Sequence, residues 1–144
     1  MSRGSRLRWL AGAVVVLVAA QVFQPAPPPV KPAQRPPAWE NPALDQRIAA
    51  VFRRACVDCH SNETRWPWYA RVSPASWLLV WDVTRGRRQL NLSHQWNFAD
   101  EERNEVAEAV HNRSMPPRTY LLIHPEAKLT EEELKLFDKW ADGE

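Results

Sequence analysis

Glycine is scarce, at four residues in 144, and no glycine-rich run is present. A loop that cradles phosphate through bare backbone amides is therefore excluded. Cysteine is scarcer still, with two residues, Cys56 and Cys59. A structural zinc site built on cysteine pairs lacks its second pair, and His94, His111 and His124 are scattered. A disulfide between cysteines this close would shut a very small loop and stabilise little. Charge of one sign is lacking too: 19 Lys and Arg against 17 Asp and Glu leave a net +2, so no strong polyelectrolyte partner is implied, and no nucleic-acid signature is visible. No repeat appears, and no strand-type alternation flanks the cysteines, which argues against a thioredoxin-like dithiol. Proline and tryptophan are abundant instead, with 13 and 8 residues. The prolines gather in the N-terminal third and the tryptophans in the middle, where they could wall a large aromatic cofactor.

The two cysteines belong to the run Cys56-Val57-Asp58-Cys59-His60. C-x-x-C-H is the attachment signature of a c-type haem. Two thiols three residues apart can each form a thioether to one vinyl group of a porphyrin, and the following imidazole then lies where it can bind the iron. A zinc site, a redox dithiol or a structural disulfide leaves His60 without a role. The sequence thus predicts one covalently attached haem c, with His60 as the proximal axial ligand.

The N-terminus reads as a targeting segment. Arg3, Arg6 and Arg8 precede an apolar stretch from Trp9 to Phe23 that only Gln21 interrupts. Its length lies between a signal-peptide core and a spanning helix. Val18-Ala19-Ala20 offers a small-residue cleavage site, but the apolar run continues through it, which favours an uncleaved anchor. Positive charge before the stretch places the rest of the chain outside the cytoplasm. The expected location is a single-pass cytoplasmic membrane protein with its haem domain in the periplasm; the alternative is a soluble periplasmic protein after leader cleavage. Residues 24–41 are rich in proline and alanine, and such a linker favours extended polyproline II geometry, as a semi-rigid stalk of up to about 55 Å. The expected organisation is an anchor or signal at 1–23, a linker at 24–41 and a haem-binding domain at 42–144.

That domain reads as all-α, with about four helices and long loops. A first helix is predicted from Pro42 to Ala55, capped by Asn41, with Leu44, Ile48, Val51, Phe52 and Ala55 on one face. A second runs from Ser76 to Thr84 and ends at Gly86. A third runs from Asp100 to Asn112, with Val106, Ala109 and Val110 inward, and stops before Met115-Pro116-Pro117. The fourth starts at a capping box, Thr130 with Glu133, and carries the stripe Leu134, Phe137, Trp140 and Ala141. So small a domain with so much loop has a thin core, and haem attachment is expected to be coupled to folding.

The iron needs a second axial ligand. Met115 is the first candidate, because the prolines after it restrict the loop that presents its sulfur; His/Met ligation is the pairing of electron-transfer cytochromes and raises the potential. His124 is the alternative. His94 and His111 are weaker candidates, and His111 is explained by the C-terminal end of its helix. For the haem propionates, the cluster Arg85, Arg87 and Arg88 offers cations, with Arg87 the first choice.

The stretch Cys56-Val57-Asp58-Cys59-His60-Ser61-Asn62-Glu63-Thr64-Arg65-Trp66-Pro67-Trp68-Tyr69, followed by Val72-Ser73-Pro74-Ala75-Ser76-Trp77, resembles the small haem-binding domain family of bacterial membrane-anchored, cytochrome c-like proteins. Asp82-Val83, Gly86-Arg87, Leu90-Asn91-Leu92-Ser93, Met115-Pro116-Pro117, Tyr120, His124-Pro125 and Leu129-Thr130 extend the resemblance over most of Leu44 to Trp140. A tryptophan shortly after the Leu-Asn-x-Ser segment belongs to that pattern; here His94-Gln95 precede Trp96. The resemblance implies a cytochrome c-like fold, a c-type haem and a periplasmic location. It leaves the partner open.

The expected function is a single-electron carrier that docks with a redox partner protein, tied to the membrane by its N-terminal helix, and not an enzyme. The competing classes are a gas- or peroxide-reactive sensor or enzyme with an open distal site, and an interaction module that haem merely staples.

Overall fold

The computed structural model describes residues 3–143; Met1 and the side chain of Arg3 lie outside the described part. The chain is all helical, with no strand among the described residues. Helix α1 spans Arg3–Val22. Its 19 residues from Gly4 to Val22 are long and apolar enough to cross a membrane, and none of that stretch is buried in the protein. An anchor and a signal sequence both have this form.

The domain's first helix starts later than the sequence suggests. Helix α2 spans Gln46–Val51, and its cap is Asp45, whose side chain accepts from the Arg47 backbone N–H. Asn41 instead folds a local turn, accepting from Ala43 N at 2.9 Å and donating to the Trp96 carbonyl at 2.6 Å. The helix also does not stop at Ala55. It widens into a π-helical turn, Phe52–Cys56, closed by Val57 N–H to Phe52 O, and runs on as α3, Val57–His60. Each π-type bond encloses one residue more than an α-type bond. The chain beyond Phe52 is thereby turned about the helix axis; Cys56 packs against the core cluster and also lines the cleft described below.

Helix α4 spans Ala75–Gln89 and passes straight through Gly86. A β-carbon on Gly86 would lie 2.6 Å from the Cys59 carbonyl oxygen. The glycine is thus a site of close approach between α4 and α3, and not a stop. Helix α5 is Asp100–His111, the short α6 is Arg118–Leu121, and α7 is Glu131–Ala141. The α7 capping box is formed as predicted: Thr130 N donates to Glu133 Oε2 at 2.9 Å, and Glu133 N to Thr130 Oγ1 at 3.2 Å.

The core lies between α2, the π turn, α5 and α7. Phe52 meets Phe98, Phe137 and Trp140 at centroid distances of 5.7, 5.8 and 5.9 Å, in the tilted and edge-on arrangements aromatic rings favour. Ile48, Val51, Ala107, Val110 and Leu134 complete it. Ala38 and Trp39 are buried in the same cluster, so the packed unit includes residues ahead of position 42. The tryptophans do not form one wall. Trp39 is buried, Trp140 joins the aromatic cluster, and Trp68, Trp77 and Trp81 are exposed.

The proline-rich segment is laid along the domain and is no free stalk. Pro28 O accepts from Arg87 Nη1 at 3.3 Å, Lys31 O accepts from Asn62 Nδ2 at 2.9 Å, and Ala38 N donates to Leu92 O at 2.8 Å. Polyproline geometry makes no internal hydrogen bonds, which leaves these carbonyls free for the domain.

Candidate haem site

The end of the π turn presents Cys56, and helix α3 presents Cys59 and His60, to a cleft lined on other sides by α4 and by the loop after α5. Leu92 N donates to His60 O at 2.7 Å, which fixes the end of α3. His60 Nδ1 lies 3.1 Å from the Leu90 carbonyl. A carbonyl can only accept, so Nδ1 carries the proton and Nε2 keeps its lone pair for a metal. Burial lowers the His60 pKa and favours the neutral ring. Leu90 lies just past the end of α4, so the approach that Gly86 permits also positions this carbonyl.

The α5–α6 loop brings Met115 to the cleft. Helix α5 ends at His111, and Arg113 adopts a left-handed conformation with φ 60°, as residues just beyond a helix end often do. Met115 N donates to Ala109 O at 3.0 Å. Met115, Pro116 and Pro117 then line one cleft together with Cys56, Cys59, His60, Gly86 and Arg85. This cleft encloses about 610 Å³ and adjoins a second of about 660 Å³, both counted with space open to solvent; Cys59, Asp82 and Tyr120 line both.

His124 is placed differently. It lines only the second cleft, its ring stacks on Tyr120 at 4.3 Å, and both its nitrogens have partners: Tyr69 Oη at 3.2 Å and Glu126 Oε1 at 3.1 Å. Arg87 does not line the His60–Met115 cleft either. Its Nε donates to Ser61 O at 2.6 Å, its Nη2 to Thr64 Oγ1 at 2.9 Å and its Nη1 to Pro28 O, so the guanidinium pins the loop after α3 to the linker. Arg85 is the member of the basic cluster that reaches the cleft. His94 faces Asn62 at 3.2 Å, and His111 faces Asp138 at 3.5 Å.

Asp58 and Tyr120 had no individual role in the sequence reading. Asp58 sits between the cysteines and accepts from the Tyr120 hydroxyl at 3.0 Å and from Arg65 Nε at 3.3 Å. It thereby ties α3 to α6 across the cleft. Burial, and then the nearby Asp58 charge, raise the Tyr120 pKa, so this hydroxyl stays a donor. Burial also raises the Asp82 pKa.

These donors suit a porphyrin-bound iron. Burial pushes the Cys56 thiol up to about 12 and the Cys59 thiol up to about 11. Both are protonated at neutral pH, unlike the low-pKa thiolate of a redox dithiol. No group of three or more His, Cys, Asp or Glu is placed to hold a bare metal ion among the described residues. One imidazole with a fixed tautomer, one thioether and two thiols around an apolar cleft fit an iron whose other four ligands come from a macrocycle.

A family model described as a haem-binding domain matches residues 15–143. No curated protein and no solved structure matches the chain.

Proposed function

The chain belongs to the haem-binding domain family, and on that premise we propose that it carries one c-type haem and serves as a single-electron carrier held at the cytoplasmic membrane. One observation carries this reading: Cys56, Cys59, His60 and Met115 line a single cleft, with His60 turned by the Leu90 carbonyl so that Nε2 is free. When bound, a c-type haem supplies reversible one-electron chemistry at its iron. Cys56 and Cys59 provide the attachment sulfurs. His60 would provide an imidazole and Met115 a thioether to the iron. Arg85, rather than Arg87, is the cation available to a propionate. If His60 and Met115 both bind the iron, no position is left open for a substrate, and no catalytic role is proposed. The segment at 1–23 acts as the anchor through its apolar stretch from Trp9 to Phe23, and the domain lies on the periplasmic side, where positive charge ahead of the stretch would direct it.

The optical spectrum of the oxidised protein tests the ligand set. His/Met coordination gives a weak far-red sulfur-to-iron band. Met115→Ala is expected to abolish it and to lower the reduction potential, while His124→Ala leaves both unchanged. The reduced wild type is expected to bind carbon monoxide slowly. Rapid binding by the wild type, with no far-red band, would establish the open-site class of haem protein instead.

A further inference from the structure

The end of α1 is clamped to the start of α4. Ser73 and Gln21 make a reciprocal pair, with Ser73 N donating to Gln21 Oε1 at 3.1 Å and Gln21 Nε2 donating to Ser73 O at 3.3 Å. Ser73 Oγ donates to the Ala20 carbonyl at 3.0 Å and accepts from Gln24 Nε2 at 2.8 Å. Trp77 Nε1 donates to the Phe23 carbonyl at 3.0 Å. Ala20 O belongs to the last turn of a helix, where carbonyls lack intrahelical partners, and Ser73 is only 4% exposed. Residues 52 positions apart are thus joined by a built contact at the only polar position, Gln21, in the apolar stretch.

The clamp fixes a depth. Helix α1 has 20 residues and rises about 30 Å, the thickness of a bilayer's hydrocarbon core, a length that includes the turns carrying Arg6 and Arg8, which would lie toward the inner interface. If α1 spans, its C-terminal end lies at the outer interface, and so do Ser73 and Trp77. The surface next to this point is unusually apolar. Trp77 and Trp81 lie one turn apart on α4 and are 52% and 64% exposed; Trp68, in the 3-10 turn Trp68–Arg71 that packs on α4, is 80% exposed. Leu78 and Ile123, both at least half exposed, form the lip of the second cleft. Tryptophan is the residue enriched at membrane–water interfaces, where its apolar ring and N–H face two solvents.

We propose that this aromatic face is a membrane-contact surface: the haem domain lies against the outer leaflet of its own membrane, with Trp68, Trp77, Trp81, Leu78 and Ile123 in the interfacial layer. The occupant is the lipid bilayer, because the clamp leaves the face beside the end of the membrane helix. The proposal rests on the reading of α1 as a retained anchor. It replaces a domain held off at the end of a stalk with one lying down, its second cleft opening at headgroup level.

The test uses the full-length holoprotein in vesicles of phosphatidylethanolamine and phosphatidylglycerol. A benzophenone amino acid is placed at position 68, 81 or, on the exposed side of α5, 108; after illumination the chain is read by mass spectrometry. Phospholipid adducts are expected at 68 and 81 in several-fold excess over 108. The clamp variant Gln21→Leu with Ser73→Ala is expected to keep the wild-type haem spectrum while adduct yield at 81 falls several-fold. Equal yields at all three positions, with the chain still in alkali-washed vesicles, would overturn the proposal and leave the anchor standing. Release of the chain by the alkaline wash would remove the anchor reading and the proposal with it. An unchanged yield at 81 in the clamp variant would contradict the orienting role of the clamp.

Discussion

The two halves of the domain are built on different terms. The half formed by α2, α5 and α7 is filled by its own side chains: Phe52, Phe137, Ile48 and Val51 are at most 2% exposed and close on one another. The half formed by α3, α4 and the 112–124 loop surrounds two adjoining clefts. What joins its walls is polar: the His60–Leu90 bond, the Tyr120–Asp58 bond and the Arg87 guanidinium. The first half is stabilised mainly by apolar burial. The second surrounds clefts, and we propose that its order depends on the group they receive. On this proposal, coupling between haem and folding belongs to one half.

The sharpest way to break this comparison is to remove the attachment sulfurs. Cys56→Ala with Cys59→Ala is expected to abolish covalent haem. In hydrogen exchange, amides of α4 and residues 112–124 should lose nearly all protection, while those of α5 and α7 keep most of theirs. Loss spread evenly over both halves would contradict the division.

Phe137→Ala attacks the other side. Truncating a fully buried phenylalanine costs about 3–5 kcal/mol. Denaturant unfolding should show that loss, while the haem spectrum of the protein that remains folded is unchanged. A spectral change of its own would mean that the packed half shapes the cleft directly.

Gly86→Ala tests the seam within the cleft half. Its new β-carbon meets the Cys59 carbonyl oxygen, which is backbone and cannot swing away; overpacking of this kind costs about 1–3 kcal/mol. Because α4 also carries the chain to Leu90, the variant should lose both stability and part of the His60 orientation, seen as a shift in reduction potential. A stability loss with an unchanged potential would separate the two roles.

The smallest effect concerns the ion pair between Arg54 Nη2 and Glu133 Oε2, at 2.8 Å. Arg54, then the capping bonds with Thr130, hold the Glu133 carboxyl below its ordinary value of 4.5. Its contribution is present above that value and is lost as pH falls through the depressed folded value. Both side chains are partly exposed, so the pair is worth at most about 1 kcal/mol. Glu133→Gln retains a capping-box residue and should be slightly less stable than wild type at pH 7, with the gap closing at acidic pH. A gap that widens on acidification would give the pair the wrong sign.

The same division decides what the sequence could reveal. Helices α5 and α7 were legible almost to the residue, because caps and apolar stripes are local signals. The run from Cys56 to His60 stands out in the sequence because the proposed thioether chemistry demands that residue type and spacing. The start of α2 was misplaced because Asn41 and Asp45 are both good caps, and only the fold sends the Asn41 amide to Trp96. Gly86 read as a stop, since a glycine near a helix end usually marks one; its partner, the Cys59 carbonyl, is backbone and leaves no trace in a sequence. The Leu90 carbonyl was invisible for the same reason. Arg87 could be picked out as a cation in a basic cluster, but not told from Arg85, because which of them faces the cleft depends on how α4 packs.

The account rests on a haem joined through sulfur to Cys56 and Cys59. Intact-mass spectrometry under denaturing conditions, on protein matured in a host that attaches c-type haem, tests it most directly. One haem added to the polypeptide mass, and absent from the double cysteine variant, is the result predicted. A bare polypeptide from the wild type would contradict it.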